Sequence, residues 1–174
     1  MEFGNRIPKK YFVTSGVGES DITIHAGSFD QALKEAGIHN VNIIQYSSII
    51  PKEAERVEKK ELHFGSVVET IMAVANGMKG ERITAGLIVG WVYKNGKKIG
   101  GLVAEYHGND EEEKAREILI ASLKEMFSSR FSEEFGGYEL KDIEIYTRSF
   151  IPRKKYGTVI VAIVFLSYEY PEKE

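Results

Sequence analysis

The chain has 174 residues, 43% of them hydrophobic, with 23 basic and 26 acidic side chains and a formal net charge of −3. This size and apolar content are typical of one domain with its own core, and the slightly acidic balance argues against nucleic acid or an anionic membrane as a partner. Because the chain has no cysteine, disulfide scaffolds, thiolate metal sites and cysteine nucleophiles are excluded. No apolar run approaches a membrane span, and residues 1–10 lack the apolar core of a signal peptide, so we expect a soluble, cytoplasmic protein.

The first part of the chain predicts short strands and one short helix. The expected elements are a polar lead-in over 1–10, strands over 11–14 and 21–25, and a glycine-containing loop over 15–20 between them. A helix is predicted over 29–36, with Ser28 as its N-cap and Gly37 where it ends. Asp30 then falls in the first helical turn.

The rest of the chain predicts longer strands and one long helix. Strands are expected over 41–50, 66–75, 82–93, 99–107, 140–150 and 156–168, with turns at 76–77, 94–97 and 152–155. Asn109 is the expected cap of a helix whose apolar residues form one stripe: Ala115, Ile118, Leu119, Leu123, Met126 and Phe127. About eight strands with only two helices favour an α+β sandwich with mostly antiparallel sheets.

A Ser47-Ser48 pair interrupts the apolar run over 41–50, which Pro51 then ends. The Ser48 hydroxyl can add to the Ser47 carbonyl and convert the amide to an ester, and β-elimination then cuts the chain. Hydrolysis of the resulting dehydroalanine gives a pyruvoyl carbonyl, which forms a Schiff base with a substrate amine. A Ser-Ser pair alone is common, so the hypothesis depends on its place at the end of a strand, where local strain favours attack on the backbone.

Two blocks of the sequence resemble the pyruvoyl-dependent arginine decarboxylases. The segment 37–55, GIHNVNIIQYSSIIPKEAE, preceded by FDQAL at 29–33, is similar to the processing segment of that family. The segment 100–108, GGLVAEYHG, resembles the strand that carries the family's catalytic glutamate. The resemblance extends from about Tyr11 to Tyr168.

This resemblance implies a self-processing enzyme that converts L-arginine to agmatine and CO2 for polyamine biosynthesis. Ser48 would become the pyruvoyl group and Ser47 the new carboxyl end, so that one domain is cut into fragments 1–47 and 48–174. No external cofactor is implied. The implied fold is a layered αββα sandwich, assembled as a trimer or as a hexamer of paired trimers, with active sites between protomers.

Three further residues receive roles from the resemblance, and each also has a simpler explanation. Glu105 is implied as the general acid, with a pKa raised by desolvation; alternatively, it faces water beside Tyr106. Asn42 is implied to orient the cleavage-site carbonyl or the pyruvoyl group; alternatively, it satisfies a neighbouring backbone group. Asp30 is implied to bind the substrate guanidinium; alternatively, it only favours the helix dipole.

Two other functions stay open from the sequence. A pyruvoyl enzyme of this kind can act on another amino acid such as histidine, and an unprocessed trimer can serve as a non-catalytic binding protein. The histidines at positions 25, 39, 63 and 107 lack metal-ligand spacing, so no metal site is expected. The basic turn 153–155 is expected to be solvated rather than to bind nucleic acid.

Overall fold

The computed structural model describes residues 4–131 and 136–170, which form nine strands and two helices. The elements are β1 (Ile7–Ser20), α1 (Ala26–Ala36), β2 (Asn42–Gln45), β3 (Ile49–Pro51), β4 (Glu55–Arg56), β5 (Val67–Met78), β6 (Ile83–Lys94), β7 (Lys97–Gly108), α2 (Glu112–Arg130), β8 (Tyr138–Phe150) and β9 (Tyr156–Glu169). One sheet has the order β2-β5-β9-β1-β4 and the other β3-β7-β6-β8. Among the described strands, only the β1–β4 and β2–β5 pairs are parallel, which confirms the predicted α+β sandwich.

The elements stack in four layers, because each sheet buries one face against the other sheet and one against a helix. The two sheets enclose a core that includes Leu87 and Ile163. The first sheet packs its outer face on α1, where Ala32 lies against Val164 and its neighbours. On the second sheet, α2 contributes Leu119 and the rest of its predicted apolar stripe. The αββα layering agrees with the expectation drawn from the resemblance.

The predicted loop over 15–20 is wrong, because these residues continue β1, and the strand already begins inside the expected lead-in at Ile7. Gly16 and Gly18 are needed there for their size. A Cβ at Gly16 would lie 2.1 Å from the Ala32 carbonyl oxygen of α1, and one at Gly18 would lie 2.1 Å from the Ser28 carbonyl oxygen. The two glycines therefore let the helix backbone rest directly on the strand.

The predicted strand over 21–25 is also wrong, because this segment forms a series of bends between β1 and α1. Its alternating apolar residues have no sheet to pack on, and Ile22 is 89% exposed. The segment is tied to the β8–β9 turn instead, where the Asp21 carboxylate accepts the Lys155 N–H at 2.9 Å. Alternation alone did not distinguish it from a half-buried strand.

The helix α1 begins earlier than predicted, at Ala26, although it ends at Gly37 as expected. Ser28 is therefore not the N-cap; it is buried, and its hydroxyl lies 2.7 Å from that of Thr158. The Thr23 hydroxyl accepts the Gly27 N–H at 2.8 Å and satisfies that helix-end donor. Asp30 consequently lies in the second turn, where its effect on the helix dipole is weak.

The single buried strand predicted over 41–50 is wrong, because the run contains two short strands in different sheets. β2 pairs with β5 on one side only and leaves Ile44 46% exposed. β3 pairs with β7 in the other sheet. Both are edge strands, so the apolar side chains of this run do not all enter the core of the protomer.

Two predicted boundaries were displaced, and the long hairpin was confirmed. Asn76 lies inside β5 rather than in a turn, and the N-cap position of α2 is occupied by Glu111 rather than by Asn109. The turn between β6 and β7 contains Asn95 and Gly96, both with positive φ, as Asn-Gly predicts for a tight hairpin. Of these long strands, β7 carries the candidate residue Glu105, so its bounds fix the position of that residue.

Candidate active site

The Ser47–Ser48 bond lies in the short connection that crosses from β2 in one sheet to β3 in the other. Just before it, the Tyr46 N–H donates to the Thr70 carbonyl at 2.7 Å. Just after it, the Ser48 carbonyl accepts the Val103 N–H at 2.9 Å. The bond is therefore fixed on both sides without being part of a strand.

The Ser47 carbonyl, which the Ser48 hydroxyl would attack, accepts a hydrogen bond from the Ile49 N–H at 3.1 Å. This contact spans a single residue and bends the backbone around Ser48. A donor on that oxygen polarises the carbonyl and would stabilise negative charge developing there. Ser48 is half-buried, so the connection supplies both a hydroxyl and a polarised carbonyl, as formation of a pyruvoyl group at this position requires.

Glu105 lies on β7 close to this connection. It follows Val103, the donor to Ser48, by two residues, or about 7 Å along the strand, and projects from the same face of β7. Val103 belongs to the core between the sheets, so Glu105 faces the same layer at its open end. Although the side chain is exposed in one protomer, partial burial raises the pKa of its carboxyl, and the neighbouring His107 lowers that pKa by a smaller amount.

Asn42 lies at the start of β2, at most about 18 Å of extended chain before Ser47. Its side-chain amide donates to the Gly65 carbonyl at 3.1 Å, which satisfies a neighbouring backbone group as the simpler explanation requires. Within one protomer, the described contacts of Asn42 do not include the cleavage-site carbonyl.

Asp30 lies at the other end of the first sheet. It is exposed on α1, two residues after Ser28, whose hydroxyl contacts Thr158 of β9. Thr158 is in register with Asn76 on β5, six residues beyond Thr70, or about 20 Å along the strand. A single protomer therefore brings Glu105 near Ser48 but leaves Asp30 toward the opposite end of the first sheet from Ser48.

Comparison with known proteins assigns the family. The family model described as pyruvoyl-dependent arginine decarboxylase matches residues 10–170. The chain belongs to this family. Its relatives include the pyruvoyl-dependent arginine decarboxylase of Pyrococcus abyssi, 30% identical over 92% of this chain and 97% of that protein. Another is the pyruvoyl-dependent arginine decarboxylase AaxB of Chlamydia abortus, 34% identical over 97% of this chain and 96% of that protein.

This pyruvoyl-dependent decarboxylase also has a polar cluster beside the Ser-Ser connection that was not predicted from its sequence. Glu69 on β5 is only 3% exposed, and its carboxylate accepts hydrogen bonds from Arg6 and from the Tyr168 hydroxyl. The Arg6 guanidinium also lies over the Tyr168 ring, 5.4 Å from its centroid. A charged residue inside the apolar run of β5 was the signal that could have revealed this cluster, which we call the Glu69 network: Arg6, Tyr46, Glu69 and Tyr168.

A cavity of about 610 Å³ opens between the sheets at the far end of β7. His107 lies in its wall, two residues beyond Glu105, together with Asn76 and Glu81. Neither Ser48 nor Glu105 lines it. In this family member, Glu105 thus lies between the Ser-Ser connection and an open space of substrate size.

A metal site requires several ligand side chains close together, and a membrane-spanning helix requires a long apolar segment. Within residues 4–131 and 136–170, no three His, Asp or Glu side chains are grouped closely enough to hold a metal ion. In the same part of the chain, neither helix is both long and apolar enough to cross a membrane.

Proposed function

We propose that this chain is a self-processing cytoplasmic enzyme that decarboxylates L-arginine to agmatine for polyamine biosynthesis, with a pyruvoyl group made from Ser48. The family assignment supports the reaction class. The single observation that carries the proposal is the Ser47 carbonyl, held outside both sheets and hydrogen-bonded to the Ile49 N–H at 3.1 Å. The absence of cysteine agrees with a reducing compartment.

Processing begins when the Ser48 hydroxyl attacks the Ser47 carbonyl carbon. The C–N bond breaks, the Ser48 nitrogen takes up a proton, and the two residues are joined by an ester. Loss of the Ser48 Cα proton then expels Ser47 as a carboxylate and leaves dehydroalanine. Water adds to its imine tautomer and ammonia departs, leaving the pyruvoyl group at the start of fragment 48–174 and Ser47 at the end of fragment 1–47.

The pyruvoyl group supplies a carbonyl that condenses with the substrate amine and withdraws the electrons released when CO2 leaves. The chain must then deliver a proton to the substrate α-carbon, and Glu105 is the carboxyl on the strand beside Ser48. Because desolvation raises its pKa, Glu105 retains a proton at a higher pH than an ordinary glutamate. Asp30 offers the charge that complements a guanidinium.

Assembly as a trimer, or as a hexamer of paired trimers, completes the proposal. Asp30 and Ser48 lie toward opposite ends of the first sheet, so we expect both to serve one site only if they come from different copies. The edge that contains the Ser-Ser connection also presents apolar side chains to solvent, namely Ile44, Ile49, Phe64 and Val67. Such an apolar edge is suited to burial against a second copy of the chain. A head-to-tail interface of this kind forms a ring when successive rotations close.

The proposal is tested with purified protein on a denaturing gel and by release of CO2 from arginine. Wild-type protein should separate into fragments 1–47 and 48–174, and Ser48→Ala should stay intact and inactive. Ser47→Ala is the matched control and should still be cut, because only the main-chain carbonyl of residue 47 reacts. A wild-type chain that stays whole after long incubation would refute the enzyme and favour the binding protein. Faster CO2 release from histidine than from arginine would refute the proposal that arginine is the substrate.

A further inference from the structure

We propose that Glu69 is a positioning residue for self-cleavage: through the Glu69 network it holds Tyr46, and thereby the Ser47 carbonyl, in place for attack by Ser48. This inference rests on the proposed function. It assigns a role to a buried acidic side chain that neither the processing chemistry nor the decarboxylation uses.

The Glu69 carboxylate is buried between the sheets and is fully engaged. A buried charge is tolerated only when it is paired and hydrogen-bonded, and Glu69 has both the Arg6 guanidinium and the Tyr168 hydroxyl as donors. It projects from the inner face of β5 and lies in register with Ile44 of β2, two residues before Tyr46. The network therefore lies against the strand that leads into the cleavage site.

Tyr46 is the member of the network that touches the cleavage site. Tyr46 packs on the core between the sheets and donates its N–H to the carbonyl of Thr70, the residue that follows Glu69. Its phenol and the charge of Glu69 also raise the pKa of Arg6. The pKa of Tyr168 is raised by burial, by its hydrogen bond to Glu69 and by its contact with Tyr46. The Tyr46 ring also packs on Phe165, with 5.5 Å between centroids. Because Tyr46 directly precedes Ser47, fixing its ring and its N–H restricts where the Ser47 carbonyl can lie, and the Ile49 N–H then orients that carbonyl.

The network also spans the two fragments that cleavage would produce. Arg6 and Tyr46 belong to fragment 1–47, whereas Glu69 and Tyr168 belong to fragment 48–174. Its contacts do not involve the Ser47–Ser48 bond, so they are present both before and after the bond is cut. The same network that orients the bond in the precursor would thus keep the new carboxyl end attached afterwards.

The fold contains a chemically matched cluster at its opposite edge, which provides a control. Arg56 donates to Glu144 at 3.2 Å and lies 5.2 Å from the centroid of the Tyr146 ring, and the Tyr146 hydroxyl donates to Glu144. These residues lie on β4 and β8, the edge strands farthest from β2 and β3 in the two sheets. The same residue types are therefore present without contact with the Ser-Ser connection.

The test follows the conversion of newly synthesised chain to fragments over time on a denaturing gel. Glu69→Gln should be cut at least about tenfold more slowly than wild type, because small displacements of reacting groups have effects of that size or larger. Tyr46→Phe, which removes only the phenol oxygen and keeps the ring on Phe165, should also be slow and decides the question if Glu69→Gln does not fold. Glu144→Gln should be cut at the wild-type rate.

A second readout separates slow cleavage from damage to the active site. Once a variant has been cut, its kcat for arginine per pyruvoyl group should equal that of wild type, because no member of the Glu69 network takes part in decarboxylation. Cleavage of Glu69→Gln at the wild-type rate, or equal slowing in Glu69→Gln and Glu144→Gln, would overturn the inference and leave the proposed function intact. A wild-type chain that is never cut would instead overturn the proposed function itself.

Discussion

At the scale of single residues, Glu105 combines a position close to Ser48 with a raised pKa. We expect Glu105→Gln to be cleaved into two fragments like wild type, because the attacking and accepting groups of cleavage belong to residues 47 and 48. Turnover of arginine should fall by about 10² to 10⁴, the usual contribution of a positioned acid. The measurement is kcat per pyruvoyl group.

The pH dependence of turnover follows from the direction in which the Glu105 pKa is shifted. Since burial raises the Glu105 pKa above its ordinary value of 4.5, the protonated acid persists to higher pH, and kcat should fall as the pH rises through the raised pKa. The amide at position 105 in Glu105→Gln has no carboxyl proton, so the fall in kcat with rising pH should disappear in this variant. Glu139→Gln, at an exposed strand glutamate paired with Lys141, is the control and should keep both rate and profile. Wild-type turnover in Glu105→Gln would mean that another group donates the proton.

At the scale of secondary structure, the close contact of α1 with β1 depends on the absence of side chains at two positions. An added Cβ at Gly16 would lie 2.1 Å from the Ala32 carbonyl oxygen, so in Gly16→Ala the helix backbone must move away from the strand. We expect a loss of about 1–3 kcal/mol in the free energy of unfolding, the usual effect of overpacking. Urea titration followed by circular dichroism, on the uncut Ser48→Ala background, measures it.

The matched control for this contact is Gly100→Ala. There the nearest heavy atom would lie 3.4 Å from the added Cβ, an ordinary contact, so the unfolding midpoint should stay close to that of the Ser48→Ala parent. An equal midpoint for Gly16→Ala would show that the helix can shift without loss of packing. In that case the close approach of α1 would not require a glycine at position 16.

The same contact explains why part of the fold could not be predicted from sequence. The long strands and α2 have apolar patterns that record which face is buried, and these elements were predicted almost correctly. Glycine, however, occurs both in turns and where two backbones approach closely, and the sequence does not distinguish the two. Residues 15–20 were therefore predicted as a loop although they belong to β1. The run over 41–50 is apolar although it lies at two sheet edges, because apolar side chains there remain exposed in the single protomer.

The candidate-site residues likewise include some that could be predicted from the sequence and some that could not. Ser48 and Glu105 could be named from sequence because the resemblance marks both, and the pairing of β3 with β7 brings them together. Glu69 was missed because its role depends on Arg6 and Tyr168, which are distant in sequence and meet only through β1 and β9 pairing. The roles expected for Asn42 and Asp30 stay predictions, because each depends on how protomers are arranged.

At the scale of the whole molecule, the two sheets are joined on one side by the Ser-Ser connection, and α1 carries Asp30 at the other end. About 20 Å along the sheet separates the levels of Thr70 and Asn76, and Asp30 lies near the Asn76 level, well away from Ser48. We therefore propose that a site using both Ser48 and Asp30 takes them from different protomers, with Glu105 from the same protomer as Ser48. This requirement distinguishes a shared site from one that is complete within each protomer.

Complementation between two impaired variants tests this arrangement. Asp30→Asn and Glu105→Gln should each turn over arginine poorly when alone. After the two are mixed, dissociated and reassembled, a trimer that contains both should restore about one site in three, where the intact Glu105 of one copy meets the intact Asp30 of the next. The measurement is CO2 release before and after mixing, with Asp30→Asn reassembled with itself as the control. Activity that stays at the mean of the two variants would place both residues in one protomer or remove Asp30 from the site.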